Sequence, residues 1–262
     1  MNILSSVGSF GFLTLISRVL GYFRDILIAI FLGTSFLADA FFVAFRLPNT
    51  FRRLFAEGSF NSAFVPQYSK LDIKKKAFEF ANSVFNLLIF FLLVLVCVAE
   101  VFMGGVIYII SPGFIENPEK YNLAVTLSRI AFPFLLFVSL SSFYSAILNT
   151  KGRFAVAAAA PIILNLLLIA SIFYAKFFDK ELVYFMAWAV TLAGILQLIM
   201  LAIYAKKYFT PKISFNFKIS SEVKHFFKRL LPSIFSSGVM QINILVGTVI
   251  ASFQTSAVSY LY

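Results

Sequence analysis

Between Ser9 and Phe36 the chain carries only three charged residues, Arg18, Arg24 and Asp25. A stretch so long and apolar has no place on a water-soluble surface. As a helix it rises about 1.5 Å per residue, so about 20 residues cross the roughly 30 Å hydrocarbon layer of a bilayer. Comparable runs recur along the chain and place seven spans at 8–33, 36–54, 78–110, 122–149, 154–176, 182–205 and 230–253, with an eighth opening near Ser256. The fold class expected is therefore an all-α integral membrane protein, a polytopic bundle of about 7–8 spans. Composition agrees: 61% of residues are hydrophobic and 13% are charged, against about 25% charged in soluble domains.

The formal net charge of +11 is unevenly placed. One set of loops holds Arg52, Arg53, Lys70, Lys74, Lys75 and Lys76, then Lys151 and Arg153, then Lys206, Lys207, Lys212, Lys218, Lys224, Lys228 and Arg229. The opposite loops hold Lys120, Lys176 and Lys180 beside Glu116, Glu119, Asp179 and Glu181. Lysine and arginine loops remain cytoplasmic, so the N-terminus is expected inside and the basic charge reflects membrane topology, not a nucleic-acid partner. The start of the chain lacks a basic n-region and a cleavage pattern, and reads as a first retained helix. Cys97 and His225 are the only cysteine and histidine, which argues against an internal disulfide, a metal site or a Ser–His–Asp set. No GxxxxGK[ST] or HExxH run is present, so neither nucleotide hydrolysis nor zinc hydrolysis is expected. The reading is of a non-enzyme without a cofactor, with membrane potential or an ion gradient as its possible driving force.

An arginine near the middle of a membrane helix costs about 2.5–3.5 kcal/mol on insertion scales, and such residues face wet cavities or partners. Arg18 and Asp25 are seven apart and so lie nearly on one face, Arg24 is one residue back from Asp25, and all three can face one cavity. Two arginines exceed the one local carboxylate, which favours an anion path over a purely structural ion network; guanidinium binds phosphate and carboxylate through a fixed fork of donors. Gly21 leaves room for a bend or a close neighbour. In span two, Asp39 can pair with Arg24 as a gate or as a static tie, Arg46 either snorkels or pairs, and Pro48 should bend the helix or end its ladder. Arg52 and Arg53 sit at the inner edge, where they can anchor anionic membrane lipids or meet an entering headgroup; Glu57 follows and could release or orient it. Glu100 and Arg129 lie at similar depth and read as a structural ion pair. Ser139, Ser141, Ser142 and Ser145, with Ala157 to Ala160, read as small faces for close helix packing. Pro133 and Pro161 read as kinks, and Asn165, Gln197, Gln241 and Asn243 as interhelical hydrogen-bonding groups.

A short internal echo relates Gly33–Asp39 to Gln254–Ser259. It suggests a parallel repeat of the kind found in transporters. The organisation expected is a six-helix lobe at 1–210, a basic cytoplasmic linker at 211–229, and the start of a second lobe at 230–262.

The runs Ser17-Arg18-Val19-Leu20-Gly21 with Arg24-Asp25, Asp39 through Asn49, Arg52 through Gly58, and Ala63-Phe64-Val65-Pro66 closely resemble the MurJ/MviN family of lipid II flippases. Ser111 to Phe114, Ala146 to Thr150 and Ala187 to Val190 extend the likeness along the chain. The resemblance implies the MOP exporter superfamily, with two six-helix lobes about a central cationic cavity. It implies a multi-pass protein of the bacterial cytoplasmic (inner) membrane whose partner is lipid II, the undecaprenyl-diphosphate muropeptide, moved to the periplasmic leaflet. It implies that Arg18, Arg24, Asp25 and Arg52 meet substrate and that Asp39 and Glu57 serve gating or coupling. It also implies a C-terminal lobe beyond Tyr262. The alternative is another exporter of the superfamily, for polysaccharide lipids or drugs.

Overall fold

A computed structural model describes residues 3–55, 59–71, 73–214, 220–254 and 257–261. Among them all regular structure is helical: α1 (Ile3–Leu32), α2 (Phe36–Phe55), α3 (Ser59–Ser69), α4 (Lys74–Val101), α5 (Met103–Ile110), a 3-10 turn (Pro112–Glu116), α6 (Pro118–Ala131), α7 (Phe134–Thr150), α8 (Phe154–Phe177), α9 (Leu182–Ala205), α10 (Ser221–Ser252) and α11 (Ala257–Tyr260). Among the described residues five stretches are long and apolar enough to cross a membrane: α4, α6 with α7, α8, α9 and α10. The expected spans one and two correspond to α1 and α2, which carry the charges of the site. Large apolar side chains face outward, as lipid contact requires: Val101 is 72% exposed, Ile203 67% and Trp188 60%.

Helix α8 packs between α1 and α9, α7 lies on α9, and α2 lies on α6. The close approach of α7 and α9 depends on Gly194, where a Cβ would lie 2.8 Å from Phe134 Cδ2. The expected kink at Pro133 is a full interruption between α6 and α7. Proline has no N–H to give the ladder, and the chain tightens there, with Leu135 N bonded to Phe132 O and Leu136 N to Pro133 O. Thr191 on α9 donates its hydroxyl to the Ile130 carbonyl at 2.5 Å, so a backbone acceptor at the break is satisfied without water. By contrast α2 runs through Pro48 and α8 through Pro161 without ending. The stretch expected as span three is divided at Phe102, next to Gly104 and Gly105.

Two elements were not expected. Residues 59–69, read as loop, form α3, because its aromatic residues find partners on three other helices. Phe64 is fully buried, 5.5 Å from Phe80 and 5.3 Å from Phe143, while Phe60 meets Phe226 at 5.5 Å. Helix α10 begins at Ser221, within the segment read as linker, with Ser220 capping Val223 N–H. Val223, Phe226 and Leu230 are buried, whereas Lys224, Lys228 and Arg229 face outward. The abundance of lysine and arginine hides that amphipathic period. Upstream, Asn82 and Asn86, one turn apart on α4, hold the extended segment at Lys212 and Ser214 through both amide groups.

Candidate functional site

Residues Phe10, Thr14, Ser17, Arg18, Gly21 and Arg24 form one stripe of α1 that faces a cavity of about 740 Å³. Helical spacing places them there, since steps of three and four residues return to one face. Arg52 of α2 completes a set of three guanidinium groups around the space, and no carboxylate belongs to its described lining. The opposite wall is low because its residues are small: Ser141, Ser142 and Ser145 of α7, with Ala157 and Ala158 of α8. These serines and alanines, expected as helix-packing faces, instead make room in the cavity.

Arg24 is held on three sides. Its Nε and Nη2 donate to Asp25 Oδ1 at 2.8 and 2.6 Å, its Nη1 donates to Asn165 Oδ1 at 2.9 Å, and its guanidinium lies 5.9 Å from the Phe45 ring centroid. Asn165 also donates to the Ser17 carbonyl at 2.8 Å, which ties α8 to α1 beside Gly21, where a Cβ would stand 3.5 Å from Asn165 Nδ2. Arg18 makes no hydrogen bond or ion pair among the described residues. Arg52 Nε donates to Asn49 Oδ1 at 3.2 Å. Asn61 of α3 also lines the cavity, and its Oδ1 is buried without a hydrogen-bond partner.

Asp25 does not share this cavity. It is 47% exposed, against 12% for Arg24, and it lines a neighbouring hollow of about 340 Å³ with Arg46, Gln241 and Leu261. Helix phase alone would admit it to the cavity, since Asp25 lies only about 20° from Arg18 around the axis; its carboxylate is instead held on the Nε and Nη2 edge of Arg24, on the side of α10. Across the two spaces four guanidinium groups, of Arg18, Arg24, Arg46 and Arg52, face the one carboxylate of Asp25, which leaves the region positive. Arg46 is buried and bonds to Thr248 of α10, which resolves its two sequence readings in favour of pairing.

The expected contact between Asp39 and Arg24 is not formed. Asp39, fully buried, accepts from Lys120 Nζ at 2.6 Å and from Ser259 N–H at 2.8 Å. Helix α2 packs along α6, which brings Lys120 and not Arg24 to the start of α2. Lys120 also lies over the Phe114 ring, 4.1 Å from its centroid. Glu100 and Arg129 likewise form no ion pair, and Glu100 Oε1 is buried without a hydrogen-bond partner. Similar depth brings Arg129 within electrostatic reach of Glu100 but not into contact, because α4 packs on α7, while α6 packs on α2 and α9. Glu57 and the side chain of Arg53 lie outside the described residues. No group of three or more potential metal ligands occurs among the described residues.

A pocket of this kind, cationic, lined with hydroxyl and amide groups and set among membrane helices, suits a polar anionic group. Known proteins point the same way. The profile of the family described as Lipid II flippase MurJ matches residues 28–262. A probable lipid II flippase MurJ of Rhizobium tropici is 37% identical over 270 residues, covering all of this chain and 50% of the relative. The chain thus spans about half the length of the curated relatives it matches. A solved lipid II flippase MurJ in an inward closed conformation superposes with a TM-score of 0.80 at 30% identity, over 96% of this chain and 52% of that one. A multidrug resistance MATE family transporter of the MOP superfamily shares the fold, with a TM-score of 0.66 at 16% identity over 99% of this chain and 59% of that one. From the profile match and these likenesses over its whole length, the chain belongs to the lipid II flippase MurJ family.

Proposed function

We propose that this chain forms the N-terminal lobe of a flippase that carries lipid II from the cytoplasmic to the periplasmic leaflet of a bacterial inner membrane. The observation that carries this reading is the convergence of Arg18, Arg24 and Arg52 on one cavity without a carboxylate in its described lining. A diphosphate brings about two negative charges, and a fork of guanidinium donors in a space of restricted water binds it well. Arg24 and Arg18 pair with the diphosphate, Arg52 stands on the entry route, and the serine and asparagine groups of the walls meet the sugar and peptide. The polyprenyl tail stays in lipid. Lobe rocking then exposes the cavity on the other side. With the basic loops inside, the outward step removes about two negative charges from a negative interior, which gains about 4.6 kcal/mol at 100 mV. The lipid leaves chemically unchanged, so the protein is a transporter and not an enzyme. Asp39 belongs to the outer gate on this reading.

The test is translocation of lipid II in vesicles by a two-lobed protein that carries this chain as its first half. Arg24→Ala should abolish flipping while leaving expression and helical content intact. Flipping at the unaltered rate would overturn the arginine-cavity mechanism.

A further inference from the structure

The end of the lobe that carries the basic loops holds a separate hollow of about 560 Å³. It shares no lining residue with the arginine cavity. Three lysines from three segments meet there: Lys74 opens α4, Lys151 follows α7, and Lys207 follows α9. None of the three side chains makes a hydrogen bond or ion pair among the described residues, and the described lining contains no carboxylate. Like charges drawn together favour an anion that joins them. Tyr68 lines the same hollow. Its side chain is 8% exposed, its hydroxyl makes no hydrogen bond among the described residues, and the Lys151 ammonium lies 5.7 Å from its ring centroid. Burial raises the Tyr68 pKa above its usual 10.0, so the phenol remains a donor. The hydroxyl itself opens into the hollow, where it can donate to a ligand.

The rest of the wall is apolar, with Leu71, Phe78 and Phe209. An inorganic phosphate gains nothing from such a surface. A lipid does, because its glycerol and first methylenes can cover it. Basic pockets between membrane helices on the cytoplasmic side bind anionic headgroups.

We propose that this hollow is a binding site for the phosphate of an anionic phospholipid from the leaflet facing the basic loops. Lys74, Lys151 and Lys207 pair with the phosphodiester, and Tyr68 donates a hydrogen bond to it. The bound lipid ties together the start of α4, the α7–α8 connection and the end of α9. This assignment rests on the hollow and not on the flippase reading, and its test requires no translocation.

The test uses the full-length protein in neutral detergent, with native mass spectrometry to follow retention of added phosphatidylglycerol and phosphatidylcholine. The wild type should prefer phosphatidylglycerol. Removing lysines should weaken that lipid about 5-fold per residue, hence about 25-fold in Lys151→Gln/Lys207→Gln, with phosphatidylcholine unchanged. Lys176→Gln, outside the hollow, should leave the preference intact. Equal retention of the two lipids by the wild type, or a preference that survives the double change, would overturn the proposal. Inorganic phosphate that competes as tightly as the lipid would overturn the assignment to a lipid. Should the double variant fail to elute as a folded protein, Tyr68→Phe decides: a reduced preference supports the site and an unchanged one rejects it.

Discussion

Arg24 is the residue on which the cavity turns. Three of its five N–H donors are engaged by Asp25 and Asn165, which leaves two for a ligand. The guanidinium is thus oriented before anything binds, and orientation of the charge is what a lysine would not reproduce. Arg24→Lys should retain partial flipping, well above Arg24→Ala, because the charge persists and the fork is lost. Asn165→Leu keeps the volume and removes both the acceptor for Arg24 and the donor to Ser17. A hydrogen bond to a charged group is worth about 1.5 kcal/mol or more, so flipping should fall by about tenfold. An unchanged rate in Asn165→Leu would show that Arg24 needs no such support. The arginines were legible in the sequence because lipid rejects a bare charge. Asn165 was legible as an interhelical hydrogen-bonding group, but its partners were not, because they lie 141 and 148 residues away and nothing in a lone asparagine names them. Asp25 shows the limit of helical periodicity: a position beside Arg18 on the helix face admitted it to a cavity whose described lining it does not join.

Helices were legible where apolar runs exceed the bilayer thickness, and less so where packing decides their ends. The interruption at Pro133 follows from proline chemistry, but the hydroxyl that satisfies Ile130 comes from α9 and is visible only when the helices are assembled. Thr191→Val should lower stability by about 1 kcal/mol, since it strips that carbonyl of its donor while preserving shape. Gly194→Val acts differently. The new Cβ meets Phe134 at 2.8 Å and Phe137 at 3.1 Å, so α7 and α9 must separate, at about 1–3 kcal/mol. Thermal unfolding in detergent measures both, and Gly194→Val should be the more damaged. Equal stability of Gly194→Val and the wild type would mean that the crossing is looser than its geometry indicates. Helix α3 escaped the sequence reading for the same reason in reverse. At 11 residues it cannot span a membrane or stand alone in water, and it exists because Phe60 and Phe64 dock among aromatic rings of α4, α7 and α10.

At the scale of the whole molecule, the tie that matters most is Asp39. One carboxylate joins the start of α2 to Lys120 of α6 and to the backbone of α11, across 81 and 220 residues of sequence. It therefore links the six-helix unit to the segment that follows α10. A buried ion pair is a poor source of net stability, because desolvation offsets most of the attraction, yet breaking one partner is expensive. Lys120→Met should leave Asp39 charged and unpaired in a dry site, and should cost about 3–5 kcal/mol. Asp39→Asn keeps an amide oxygen to accept from Ser259 N–H but leaves the buried Lys120 ammonium without its counter-charge, so it too should be destabilising. Combining the two removes both charges together, so the double variant should be more stable than Lys120→Met alone by about 1–3 kcal/mol. Such a cycle, read by thermal unfolding, separates the charge pair from the hydrogen bond to α11. Strictly additive losses would mean that Asp39 and Lys120 act independently, and the outer end of the lobe would then be held by packing. A positive coupling, with flipping lost in the double variant despite its partly restored stability, would place the Asp39 carboxylate in the working cycle and not merely in the stability of the resting protein.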